Sequence, residues 1–216
     1  MSTKNNIGLT ISEEKAKGLI PVPKLWPDST IAVIAAGPSL TREDCDYVRG
    51  RVTATIAVNT AYLLAPWADV LYGCDGLKFW RWHKGVPSFH GLKYSLTRNA
   101  YKIPQLRNAG DQGLSLDPSA VCTGQNSAFQ SVNLAYHFGA KRIILLGVDM
   151  KRGAKGARHF QGGDHPDGSQ PPFRLCLSLW ETIVAPLREQ QIEVINCSAS
   201  TALHSFPCRP LREALP

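Results

Sequence analysis

The chain has no apolar run approaching the roughly 20 residues that a bilayer-spanning helix needs. Its opening stretch, "MSTKNNIGLTISEEKAKG", has no apolar core of the secretory type. Both absences point to a cytoplasmic protein without a transmembrane segment. The six cysteines (Cys45, Cys74, Cys122, Cys176, Cys197 and Cys208) include no C-x-x-C pair, which argues against a zinc site and for reduced, buried thiols. Neither G-x-G-x-x-G nor the G-K-[ST] of a Walker A loop occurs, so the two commonest phosphate-binding signatures are missing. There is no internal repeat and no long flexible linker.

The composition is that of a folded chain. Of 216 residues 44% are hydrophobic and 19% charged, enough for one substantial core. The net charge of +7 favours anionic partners such as nucleotides, nucleic acid or acidic lipid. The basic residues are dispersed apart from "KRGAKGAR", which carries Lys151, Arg152, Lys155 and Arg158.

Residues 1 to 28 read as an irregular arm, because the three prolines of "IPVPKLWP" exclude a helix interior. From residue 29 onward apolar runs alternate with helical patterns. "TIAVIAA", "VTATIAVN", "DVLYGCD", "LKYSLT", "KRIILLGVDM" and "IEVINCS" read as strands. "LTREDCDYVRG", "TAYLLAPWA", "TGQNSAFQSVNLAYHFGA" and "FRLCLSLWETIVAPLREQ" read as helices, the last with a bend at Pro186. Ala128, Val132, Ala135 and Tyr136 repeat at helical spacing before Gly139 stops the third of these. The rest of the middle segment, from Gly76 to Ala120, reads as loop with short helical pieces. Several strands are continuously apolar, as strands buried on both faces are. The expectation is therefore a single α/β, Rossmann-like domain over 29–216, with a mostly parallel sheet and helices on both faces.

In such sheets ligands bind beyond the carboxyl ends of the strands, and polar and glycine residues cluster there. Gly37, Pro38 and Ser39 follow the first run, in a turn suited to a phosphate or ribose at a helix start; Ser39 reads equally well as a helix cap. Asn59 and Thr60, then Asp75 and Gly76, follow the next two runs. Asp149 ends the clearest strand, and Thr123, Gly124, Gln125, Asn126 and Ser127 open a helix. Asp75 and Asp149 suit either Mg²⁺ beside a phosphate, a ribose hydroxyl, or the bracing of a loop. "ARHFQGGDHPDG" holds His159, Asp164 and His165 in a glycine-rich loop too pliant for a rigid metal cage, and offers either histidine as general acid or base. Phe79, Trp80 and Trp82, with Arg81, His83 and Lys84, suit base or sugar stacking, a lid or a subunit contact.

"VIAAGPSL" at 33–40, "AVNTAY" at 57–62 and "TGQNSAFQSVNLAYHFGAKRIILLGVDM" at 123–150 resemble two related groups. One is the motility-accessory-factor-type family, which includes archaeal 6-hydroxymethyl-dihydropterin pyrophosphokinases. The other is the CMP-sialic-acid-dependent bacterial sialyltransferases. "VINCSASTALHSFP" at 194–207 is similar to the first family's closing strand and loop. The resemblance spans about residues 30 to 207 and suits a compact member encoded by a phage or other mobile element. The turn lacks the asparagine that often precedes its glycine in the sialyltransferases.

What the sialyltransferase resemblance implies is a CMP-activated sugar donor held at Gly37, Pro38 and Ser39. Asn59 would meet its phosphate or ribose, Thr123, Gly124 and Gln125 its sugar, and His159 or His165 would serve as base. No cofactor is then required. The pyrophosphokinase resemblance implies diphosphate transfer from ATP to a small alcohol such as a pterin, with Mg²⁺ near Asp75 and Asp149. A third expectation is a non-catalytic module that binds a nucleotide or nucleic acid through the basic loop. The acceptor and the oligomeric state, including a homo-oligomer, stay open.

Overall fold

In a computed structural model of the chain, residues 19–74, 86–96, 103–162 and 172–216 are described. The main elements are β1 (Ser29–Ile34), α1 (Arg42–Val48), β2 (Ala54–Val58), β3 (Val70–Gly73), β4 (Leu92–Ser95), β5 (Arg107–Asn108), β6 (Ala120–Val121), α2 (Ser127–Phe138), β7 (Ala140–Leu146), α3 (Phe173–Glu189), β8 (Glu193–Asn196) and α4 (Leu211–Ala214). Six strands form one sheet in the order β4-β3-β2-β1-β7-β8, and every neighbouring pair is parallel. The expected Rossmann-like α/β architecture is the one observed.

Side chains alternate across a strand, and here both sets are buried. Ile31 and Val33 of β1, with Ile56, Ile143 and Val194, face a core completed by α2 and α3. Ala32 and Ile34, with Ala57, Ile144 and Leu146, face a second core completed by α1, the 3-10 turn Asn59–Leu63 and α4. Burial on both faces is why these strands read as continuous apolar runs. Full burial of a large apolar side chain contributes about 1.5–3 kcal/mol. Helix propensities differ by only about 0.7 kcal/mol per ordinary residue. Packing therefore decides the elements: α3 buries Trp180, Ile183 and Leu187 on one stripe, and continues past Pro186 to Glu189.

Local chemistry sets the ends of the helices. Thr41 caps α1 by accepting a hydrogen bond from the Asp44 N–H at 3.1 Å. Asn126 caps α2, its side-chain oxygen accepting from the N–H groups of Ala128 and Phe129 at 3.0 and 3.2 Å. Gly139 closes α2 in a left-handed conformation (φ 102°) against Trp26 and Pro27, where a Cβ would have no room. The described part of the amino-terminal arm thus lies against the domain. The Trp26 N–H donates to the Phe138 carbonyl at 2.9 Å, and the two rings pack in a tilted arrangement with centroids 4.9 Å apart.

Two features differ from the sequence reading. β5 and β6 form a small separate parallel pair inside what reads as loop. That segment packs on α2, and Gln130, Ser131, Asn133 and His137 are buried although only Ala128, Val132, Ala135 and Tyr136 form the periodic set in the sequence. Each of the four has a partner. Gln130 accepts from the Tyr72 hydroxyl at 2.7 Å and donates to the Thr123 carbonyl at 3.0 Å. Ser131 donates to the Ser127 carbonyl at 2.8 Å. Asn133 accepts from the Ser115 and Cys122 N–H groups at 2.9 and 3.0 Å. The His137 Nε2 lies 2.8 Å from the Ala120 carbonyl oxygen and 3.1 Å from the Asn133 Nδ2. Burial pushes the His137 imidazole below its ordinary value, against the opposing pull of the Ala120 carbonyl and the more distant Asp117.

Candidate functional site

Because all six strands run parallel, their carboxyl ends share one edge. The chain leaves β1 through α1 toward β2, β3 and β4, and returns through α2 to β7 on the other side of β1. Strand order therefore reverses between β1 and β7, and that switch point is where a ligand crevice opens in folds of this kind. A helix leading into a parallel strand runs back against it, so α2 and α3 also begin at this edge.

Gly37 lies at the reversal with no space for a side chain. A Cβ there would sit 2.3 Å from the Gly147 carbonyl oxygen and 2.8 Å from the Asp149 Cγ. The turn's backbone donors are engaged within the protein. The Gly37 N–H donates to the Gly147 carbonyl at 2.8 Å, the Ser39 N–H to Asp149 Oδ2 at 2.6 Å and the Leu40 N–H to the Gly37 carbonyl at 3.1 Å, while Pro38 has none. Ser39 Oγ also donates to Asp149 Oδ1, at 2.5 Å. Of the roles open to Asp149 in the sequence, these bonds are those of a brace. The carboxyl is buried, which raises its pKa above the usual carboxylate value; the two Ser39 hydrogen bonds and the Lys151 charge pull the other way.

The segment after β8 holds the far side of the same turn. The Ser198 hydroxyl accepts from the Val148 N–H at 2.8 Å, and the Ala202 N–H donates to the Asp149 carbonyl at 2.7 Å. Thr201 Oγ1 donates to the Val148 carbonyl at 2.8 Å, and Asn196 fixes the segment by accepting from the Ser198 N–H at 3.0 Å. These residues fall in the stretch that resembles a family closing loop, but their bracing partners are distant in sequence.

Ile34 pairs with Ala57 at the ends of β1 and β2, and Ala36 and Asn59 each lie two residues further on. Asn59 has a left-handed backbone (φ 50°), and its Oδ1 is buried with no hydrogen-bond partner. A lost partner for such an atom costs about 1–3 kcal/mol, and non-glycine left-handed backbone costs roughly 1–3 kcal/mol more. Both departures fall on one residue at the switch-point edge.

Thr123 to Asn126 open α2 at this edge, and here the sequence reading missed an organiser. Asp111 accepts from Thr123 Oγ1 and, at 2.9 Å, from Gln125 Nε2. Those hydrogen bonds, Thr123's first, hold the Asp111 carboxyl below its ordinary range. The only sequence signal was the polar, glycine-flanked "GDQG". Gly124 fits closely over Phe129, where a Cβ would lie 2.2 Å from the ring, and Gln125 is exposed with φ 52°. The Gln125 carbonyl touches Cys176 Sγ at 3.5 Å, which brings the start of α3 beside this loop.

The basic loop after β7 folds over the Gly37 turn. A Cβ on Gly153 would be 2.6 Å from the Pro38 Cβ, and the Phe160 N–H donates to the Ala36 carbonyl at 3.1 Å while its side chain packs on the second core. His159, half-buried, is thereby held one residue from that anchor. Asp75, Gly76, Asp164, His165 and the aromatic group from Phe79 to Lys84 lie outside the described residues. Among the described residues no three His, Cys, Asp or Glu side chains converge as a metal site. Both oxygens of Asp149 accept a hydrogen bond from Ser39. No helix among the described residues is long and apolar enough to cross a membrane. No family model, no curated protein and no solved structure matches the chain.

Proposed function

We propose that the chain is a nucleotide-dependent transferase, and that its donor is a CMP-activated sugar bound at the β1/β7 switch point. The observation that carries this reading is Asn59, a strained residue whose buried Oδ1 has no donor, beside the end of β1. An acceptor oxygen calls for a donor. A ribose hydroxyl supplies one, whereas an ionised phosphate does not. The resemblance of the turn, the Asn59 segment and the α2–β7 unit to sialyltransferases supplies the cytidine and sugar parts of the proposal.

In the corresponding reaction His159 takes the proton of an acceptor hydroxyl, whose oxygen attacks the anomeric carbon of the sugar. The bond from that carbon to the phosphate oxygen breaks, and CMP leaves with the electron pair. Configuration inverts. No step of this scheme runs through a metal.

A thermal-shift series with CMP, CDP, CTP, ATP, GTP and UDP, each with and without Mg²⁺, tests the proposal. Ligand at 100 times its Kd stabilises a folded protein by about 2.7 kcal/mol. The expected result is stabilisation by CMP or CDP without metal, lost in Asn59→Ala. Stabilisation by ATP only with Mg²⁺ would replace this reading with the pyrophosphokinase one. A chain stabilised by none of the six is not a nucleotide-dependent transferase. Turnover of a CMP-sugar that survives His159→Ala would remove His159 from the scheme.

A further inference from the structure

The donors of the Gly37 turn are directed inward, so an anionic ligand at the switch point must be met by something else. The loop that covers the turn carries positive charge. Between Asp149 and Asp164 it carries Lys151, Arg152, Lys155 and Arg158 and no acidic residue. Its fold is compact: the Gly153 N–H donates to the Ala157 carbonyl at 2.8 Å, and the Arg152 guanidinium donates to the Gly156 carbonyl at 2.6 Å. Both of its anchors, Gly153 on Pro38 and the Phe160 N–H on Ala36, are contacts with the turn itself. Arg152 thus holds the loop's shape, while Lys151 and Lys155 are exposed and Arg158 is half-buried. Asp149, at the foot of the loop, is buried beneath the turn with both oxygens hydrogen-bonded to Ser39, and the Lys151 charge acts on it.

We infer that the loop from Lys151 to Phe160 is a preformed anion-recognition element of this cleft, with the exposed Lys151 and Lys155 as the groups that meet phosphate. The inference rests on the nucleotide reading for the identity of the natural ligand, but the charge arrangement stands without it. A phosphate bound mainly by lysine side chains is held by Coulomb attraction that salt screens.

The test is isothermal titration of the full chain with inorganic pyrophosphate and, separately, with CMP and cytidine, at low and at physiological salt. The wild type is compared with the double variant Lys151→Gln, Lys155→Gln, whose melting temperature is measured alongside. Expected are pyrophosphate binding that weakens as salt rises, and at least tenfold weaker binding by the variant at an unchanged melting temperature. CMP should lose affinity in the variant while cytidine does not. A variant that binds pyrophosphate as tightly as the wild type, or a wild type that does not bind it, overturns the inference. If the pyrophosphate results hold but neither CMP nor cytidine binds, the nucleotide reading fails and the anion site stands. If CMP binds wild type and variant alike, the reverse is true. A second variant, Arg152→Gln, separates charge from shape: lower melting temperature without loss of pyrophosphate binding at low temperature is expected.

Discussion

β1 and β2 end side by side at the same edge of the sheet, yet the two ends are built in opposite ways. After β1, the donors of Gly37, Ser39 and Leu40 all have partners inside the protein, and Asp149 locks the turn from below. After β2, Asn59 keeps a left-handed backbone and a buried oxygen without a donor. The first end is finished as it stands and the second is incomplete. A site needs both, a rigid floor and a polar group held in reserve, because preorganised groups interact with a ligand without first having to move.

The sharpest way to break the first end is Gly37→Ala. With the Gly147 carbonyl at 2.3 Å there is no room for the methyl group, and about 3 kcal/mol of destabilisation by urea unfolding is expected. Ser39→Ala comes next. It leaves Asp149 Oδ1 buried without its hydroxyl donor, at a loss of about 2 kcal/mol in the same measurement.

A third prediction contrasts this edge with the buried polar side of α2. The folded-state pKa of His137 is depressed. Its contribution to stability is therefore present above the unfolded value of about 6.5 and is lost as pH falls below it, with a slope of up to about 1.4 kcal/mol per pH unit. Urea unfolding between pH 7.5 and 5 should show this decline, and His137→Asn should flatten it.

Asn59→Gly is the counterpart of Gly37→Ala and has the opposite sign. Glycine adopts φ 50° without strain and removes the orphaned oxygen, so the variant should gain about 1 kcal/mol of stability. It should also bind CMP at least tenfold more weakly. A variant that gains nothing, or keeps its affinity, would erase the distinction between the two strand ends. The smallest effect belongs to the basic loop. Replacing Lys151 and Lys155 by glutamine should change the stability of the ligand-free protein by less than about 0.5 kcal/mol, because both side chains are exposed.

The fold was legible where burial writes itself into composition. β1 and β7 are surrounded by protein, and their runs of Ile, Val, Leu and Ala say so. β5 and β6 were not legible, since two-residue strands carry no periodicity of their own. The burial of the polar residues of α2 was not legible for a related reason: the partners of Gln130, Asn133 and His137 include Tyr72, Ser115 and Ala120, which arrive from elsewhere in the chain. At the site, glycines and polar residues after apolar runs marked the correct edge. Their duties were hidden because the partners are remote: Asp149 lies 110 residues from Ser39, and Asp111 reaches Gln125 across fourteen.

The strand order also bears on how the molecule comes into being. β1 can pair with β2 almost as soon as both are made, but its other neighbour, β7, is more than a hundred residues further along. On a ribosome, the Gly37 and Ser39 donors stay bonded to water until Gly147 and Asp149 have emerged, and the turn lacks its far brace until the segment from Asn196 to Ala202 follows. Such distant pairings close slowly. The central strand is therefore left half-covered during synthesis, a stage at which nascent chains are prone to associate wrongly. Completion of the sheet and completion of the cleft are then a single late event, and a nascent chain halted before residue 149 would have neither.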